Sequence, residues 1–182
     1  MSAALSYRLR LGVAILLAVV TLIGAVSLAV PLSFPTGSWG GPAPLAAVSE
    51  ARADAALAAT PPRLEEAKAM TRATLAQRPM DAAAWSRLAW LASQTGDRAA
   101  MLDALDRSYA VAPYGPDVTG WRLRFAYGQW GDLTPDLRRQ VSAELTQAVR
   151  DRPGVVEAAR PDITDPAGRL AFDLTRDLAA NP

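Results

Sequence analysis

The chain contains neither cysteine nor histidine. Without cysteine there is no disulfide framework and no thiolate metal site. Compartment is left open, because an oxidising space permits disulfides without requiring them. Without histidine the commonest general acid–base and metal ligand is missing, and so is every Ser-His or Cys-His nucleophile arrangement. Lysine occurs once, as Lys68, while alanine and arginine abound, a bias that points to a GC-rich bacterial genome. An excess of one charge is also missing: 19 basic residues stand against 18 acidic ones. Setting aside Arg8 and Arg10, the remainder is one charge acidic, which argues against a nucleic-acid binder. There is no phosphate loop, dinucleotide fingerprint, Gly-x-Ser-x-Gly or metal-ligand spacing. No run sustains a two-residue alternation rich in β-branched side chains, so no sheet is expected.

What is present begins with an apolar run. Leu11 to Val30 reads LGVAILLAVVTLIGAVSLAV, with no charge. At ~1.5 Å rise per residue such a run covers about 30 Å, the hydrocarbon thickness of a bilayer. We expect a transmembrane helix over residues 11–31. Arg8 and Arg10 precede it and no charge follows until Glu50, which places residues 1–10 in the cytoplasm and the bulk beyond the membrane. A cleavable signal peptide is the competing reading, but signal h-regions are shorter, roughly 7–15 residues. Phe34 and Trp39 are candidates for the outer interface.

Residues 31–44, PLSFPTGSWGGPAP, combine four prolines and three glycines and read as a tether. We assign 32–60 as linker, with a possible alanine-rich helix at 45–59. Beyond it, Thr60-Pro61, Thr134-Pro135 and Asp165-Pro166 each offer a capping side chain followed by proline. With the breaks at Pro79, Gly96, Pro113, Gly131 and Pro153, helices are expected at 61–78, 82–94, 97–111, 117–129, 135–150 and 166–179. Trp85, Leu88, Ala89 and Ala92 form one apolar stripe and Leu102, Leu105 and Tyr109 a second. Leu137, Val141, Leu145 and Ala148 form a third, and Leu170, Leu174 and Leu178 a fourth. Short connections make neighbours antiparallel hairpins. Trp121, Phe125 and Tyr109 join Trp85 as expected core.

Two phrases repeat: WSRLAWLASQTGD (Trp85 to Asp97) and WRLRFAYGQWGD (Trp121 to Asp132). Pro79 and Pro113 stand 34 residues apart. Between them lie Trp85, Leu88, Gly96 and Tyr109 in helix-turn-helix context. This resembles a tetratricopeptide (TPR) repeat. Trp85 falls on the family's aromatic position, Leu88 on its leucine, Gly96 on the turn glycine and Pro113 on the closing proline. Ala92, Met101 and Leu105 depart from the usual residues. Glu65 to Pro79 looks like the second helix of a preceding unit, and the unit after Pro113 begins two residues late. With the apolar run, the resemblance implies an all-α fold: an N-terminal transmembrane helix read from that run, then a short TPR-like stack of antiparallel hairpins at 61–153, closed by a capping helix in 154–182.

TPR-like arrays bind peptides or protein surfaces along their first helices. Carried over, the resemblance implies partner-binding positions at Ser86, Trp90, Ser93 and Gln94, and at Arg122, Ala126, Gln129 and Trp130 in the next unit. Trp90 lies roughly 140° around the helix from Trp85, so the two cannot face one core. Packing against neighbouring helices is the plainer role for Trp90 and Trp130. Asp103 and Asp106, one turn apart, and Asp132 and Asp136 read as a charged face and as capping groups rather than catalytic pairs. The expectation is therefore a non-enzymatic scaffold or adaptor with no cofactor and no metal. It would sit in a bacterial inner membrane with its domain in the periplasm and bind protein partners in an envelope assembly such as polysaccharide, secretion or pilus machinery. The alternative is an accessory subunit held mainly through its transmembrane helix.

Overall fold

A computed structural model describes residues 12–26 and 45–180. Among the described residues all regular structure is helical. The elements are α1 (12–26), α2 (Ala46–Ala58), α3 (Leu64–Gln77), α4 (Ala82–Gln94), α5 (Arg98–Val111), α6 (Thr119–Gly128), α7 (Pro135–Asp151), α8 (Pro153–Ala159) and α9 (Pro166–Ala180). Short 3-10 turns lie at Trp130–Asp132 and Arg160–Asp162. The all-α expectation holds for this part of the chain.

α1 is the described part of the expected transmembrane helix, and it is exposed along its whole length. At ~1.5 Å per residue it covers about 22 Å. Among the described residues no helix is long and apolar enough to cross a membrane. Leu11 and residues 27–31, which complete the expected span, lie outside the described residues, as do Arg8, Arg10, Phe34, Trp39 and the tether.

The helix boundaries follow local chemistry. Asp81 accepts from the Ala84 amide at 2.9 Å and Asp97 from Ala100 at 3.0 Å. Thr134 accepts from Leu137 at 3.2 Å and Asp165 from Gly168 at 3.0 Å, with Pro135 and Pro166 opening α7 and α9 as expected. Thr60-Pro61 does not open a helix. α3 begins at Leu64, with Glu65 and Glu66 in its first turn and no side-chain cap. Pro62 explains the delay, because a proline keeps its predecessor, here Pro61, out of helical backbone. Pro153, a predicted break between helices, occupies the first turn of α8. Gly96, at φ +71°, makes the left-handed turn between α4 and α5 that an L side chain resists.

α2 pairs with α3 and α4 with α5 as tight hairpins, and α3 packs on α4. α6 packs on α7, α8 and α9, and α7 packs on α8 and α9, so the C-terminal part is a four-helix cluster. Its core includes Leu123, Tyr127, Leu137, Val141, Leu145, Val156, Ile163 and Phe172. The expected stripe on the last helix is reversed. Leu170, Leu174 and Leu178 are 62%, 56% and 74% exposed, while Gly168, Phe172 and Ala179 face inward. The cause is close approach. At Gly168 an added Cβ would lie 1.7 Å from the Tyr127 carbonyl oxygen. One turn on, the Phe172 ring meets the Tyr127 ring edge-on at 5.1 Å. The leucines fall on the opposite side of α9.

A buried polar network joins α4, α5, α6 and α7. The side chains of Arg122 and Glu144 are both 0% exposed and form an ion pair. Arg122 Nε donates to Glu144 Oε1 at 3.1 Å, and Nη1 donates to the carbonyls of Ala112 (2.8 Å) and Ser108 (3.2 Å). Thr119 donates to Glu144 Oε1 and Tyr109 to Oε2, each at 2.7 Å. The guanidinium also lies 4.2 Å from the centre of the Tyr109 ring. Ser108 donates to the Ala82 carbonyl at 3.0 Å and therefore accepts from Ser86 at 2.9 Å.

Burial, followed by the Glu144 charge, pushes the Tyr109 hydroxyl well above its ordinary value, and burial also raises Tyr127. A raised folded-state pKa gives stability that is complete below the unfolded value, about 10 for tyrosine, and is lost as pH rises beyond it. Urea midpoints should accordingly fall between roughly pH 9 and pH 11. Tyr109→Phe should flatten that decline while lowering stability at neutral pH by about 1.5–3 kcal/mol, the usual worth of a hydrogen bond to a charged group.

Candidate functional site

A groove is lined by α2, α4 and the start of α6. Its lining comes from Leu57 on α2, from Ala83, Ser86, Arg87 and Trp90 on α4, and from Asp117, Val118 and Trp121 at the start of α6. The cavity volume is about 380 Å³. The α4 residues follow the i, i+3, i+4, i+7 pattern, so one stripe of the helix faces the groove. Arg87 pairs with Asp54 at 2.8 Å and so ties α4 to α2 across one wall. Trp90 is half-buried against the small cluster of Ala56, Ala67 and Leu91, beside Leu57 and Leu64. Trp121 stacks on Phe125 with centroids 4.8 Å apart. Ser86 is a buried floor residue whose hydroxyl is held by Ser108.

Asp117 stands differently. It is exposed, it precedes α6, and no side-chain cap closes that helix. No ion pair or side-chain hydrogen bond forms at Asp117 among the described residues.

The structure brings Ser86 and Trp90 into this groove. Ser93 and Gln94 lie further along the same stripe but not in its lining; the Ser93 hydroxyl donates to the Trp90 carbonyl at 2.7 Å. Arg122 is removed from the expected contact set, being sealed in the core by Glu144. Ala126 is likewise fully buried. Trp130 stacks on Tyr127 at 4.9 Å under the Arg138 guanidinium and beside Gly168, so it packs α6 to the last helix. Gln129 borders a separate hollow with Gly128, Gly131, Asp132, Thr164 and Asp165.

This unit departs from expectation by a rotation of α6. The repeated phrase predicts Trp121 and Phe125 in the core, with Arg122 and Ala126 facing a partner. α6 instead buries Thr119, Arg122, Leu123, Ala126 and Tyr127, a shift of roughly 150° about its axis. Trp85, in the matching place of the repeated phrase, is half-buried on another side. It donates to the Pro79 carbonyl at 2.8 Å beneath the Arg107 guanidinium. The two phrases therefore share letters but not orientation. Of the acidic residues, Asp103 pairs with Arg107, Asp132 with Arg98 and Asp136 with Arg139, all exposed and none beside Arg122.

The groove is an open, mostly apolar trough with two indoles, one compensated cation and one free carboxylate. No protein-family model, curated protein or solved structure matches the chain.

Proposed function

We propose that this chain is a non-enzymatic, membrane-anchored scaffold of TPR-like helical hairpins that holds a protein partner in the α2/α4/α6 groove. Residues 11–31 serve as its single-pass anchor in a bacterial inner membrane, with residues 1–10 cytoplasmic and the helical domain periplasmic. Its setting is an envelope assembly such as polysaccharide, secretion or pilus machinery. The carrying observation is the groove itself: an open trough lined by α2, α4 and the start of α6, with half-buried Trp90 and Trp121 in its lining. Half-exposed tryptophans in a pocket are the residue type most enriched among binding hot spots. Anchoring raises the scaffold's effective concentration for other membrane proteins without any further contact.

The exposed apolar surface of α1, including Leu16, Leu17 and Ile23, favours a second reading, in which an accessory subunit associates through that helix. Crosslinking in native membranes separates the two. Trp90→Ala should weaken partner capture by about 2 kcal/mol or more, roughly thirtyfold, as truncation of a hot-spot tryptophan does. Substitution of Leu16, Leu17 and Ile23 should leave capture intact. The reverse pattern overturns the groove reading. A thermal melt of each variant checks that the hairpins remain folded.

A further inference from the structure

The groove's walls restrict what can lie in it. Its two ionised lining residues, Arg87 and Asp117, both have opposite charge at hand. Arg87 pairs with Asp54 at 2.8 Å. Arg152 donates to the carbonyl of Pro116, the residue before Asp117, and forms no ion pair of its own among the described residues. The N-terminus of α6 adds a partial positive charge beside the same carboxylate. The trough is therefore close to neutral and holds no uncommitted charge for an ionic partner. The rest of the lining is Leu57, Ala83, Val118, Trp90, Trp121 and the floor hydroxyl of Ser86, which Ser108 holds. Main-chain partners are scarce as well. No strand edge occurs among the described residues, and the interior of a helix spends its amides and carbonyls on itself. An extended segment pressed into this trough would bury peptide groups without partners. A helix arrives with its backbone bonds already made. The groove-facing stripe of α4 runs from Ala83 to Trp90, about 10 Å of rise, which matches one i, i+3, i+4, i+7 set on a facing helix.

We propose that the groove takes the apolar face of an amphipathic partner helix, uncharged at the positions that enter it. The assignment rests on the groove reading above and adds the conformation and chemistry of the occupant. Trp90 and Trp121 pack against its aliphatic or aromatic anchors, and its charged face stays in solvent. A lysine or a glutamate at an anchor position is rejected alike, because either would be desolvated with no free counter-charge to meet it.

The test uses the full chain in lipid nanodiscs. A phage library displaying random peptides about 16 residues long, roughly four helical turns, is panned on it. Binders that lose affinity for Trp90→Ala are synthesised. Apolar residues at i, i+3 or i+4, and i+7 are expected, with a gain of helical circular dichroism on binding. Proline at a middle, solvent-facing position should weaken the peptide about a hundredfold, while α-aminoisobutyric acid there leaves it intact. Lysine and glutamate at the central anchor should each weaken it about tenfold or more. Asp117→Asn should change its affinity less than about threefold. If the Trp90-dependent peptides tolerate the proline, or carry a charged contact residue whose replacement by norleucine weakens them, the helix assignment is overturned and the groove survives. If panning yields no Trp90-dependent peptide, the groove reading fails and takes the assignment with it.

Discussion

Glu144→Leu is expected to cost about 3–5 kcal/mol of folding stability, because it leaves the Arg122 guanidinium buried without its counter-ion. The loss extends further than one pair. The Tyr109 and Thr119 hydroxyls also donate to Glu144, so three side chains lose a partner at once. A buried donor left without an acceptor costs about 1–3 kcal/mol, which puts the variant at the upper end of the range. The informative control is Arg122→Met combined with Glu144→Leu. Replacing both members of a buried pair with apolar groups of similar volume is often neutral or even stabilising. The double variant should therefore be more stable than Glu144→Leu alone. Urea unfolding followed by far-UV circular dichroism gives both values. If the single variant loses under ~1 kcal/mol, the network is not the buried centre described above.

Gly168→Ala should be nearly as severe, although it adds one methyl group. The new Cβ would stand 1.7 Å from the Tyr127 carbonyl oxygen and 2.8 Å from its carbon. Both are backbone atoms of α6, so no rotamer change relieves the overlap. Overpacking by a methyl usually costs ~1–3 kcal/mol when side chains can yield, and here α9 itself must withdraw. Withdrawal exposes Phe172 and unstacks the neighbourhood of Trp130. The expected result is selective protease cleavage within 164–180 and a red shift in tryptophan emission, with α2 to α5 still folded. Gly131, where an added Cβ meets nothing within 4 Å, serves as the control for a glycine substitution near the same turn.

The sequence made the helices legible because their punctuation is local. Capping residues, prolines and Gly96 act within a turn, and four of the expected starts coincide with observed caps. Facing is a different matter. On α6 the choice lay between aromatic Trp121 and Phe125 and charged Arg122, and hydropathy alone favours the aromatics. The buried choice becomes reasonable only with Glu144, 22 residues away, which itself occupies the i+3 place after Val141 in an apolar stripe. Two opposite charges, each set within an apolar stripe, were a usable signal. On α9 three leucines outweigh one phenylalanine by count, yet backbone approach at Gly168 decides the rotation, and that constraint belongs to α6. Within the groove, Ser86 and Trp90 were recoverable from the spacing on α4. Leu57, Asp117 and Trp121 were not, since their inclusion depends on how α2, α4 and α6 lie side by side.

The hydroxyl chain from Ser86 to Ser108 reaches the groove at one end and the buried guanidinium at the other. Its consequence is preorganisation: the trough's floor is clamped by the same atoms that clamp the interior, so an arriving segment meets a surface already set in its final shape. Little ordering entropy remains to be lost on the scaffold's side, which favours slow release over fast capture as the source of affinity.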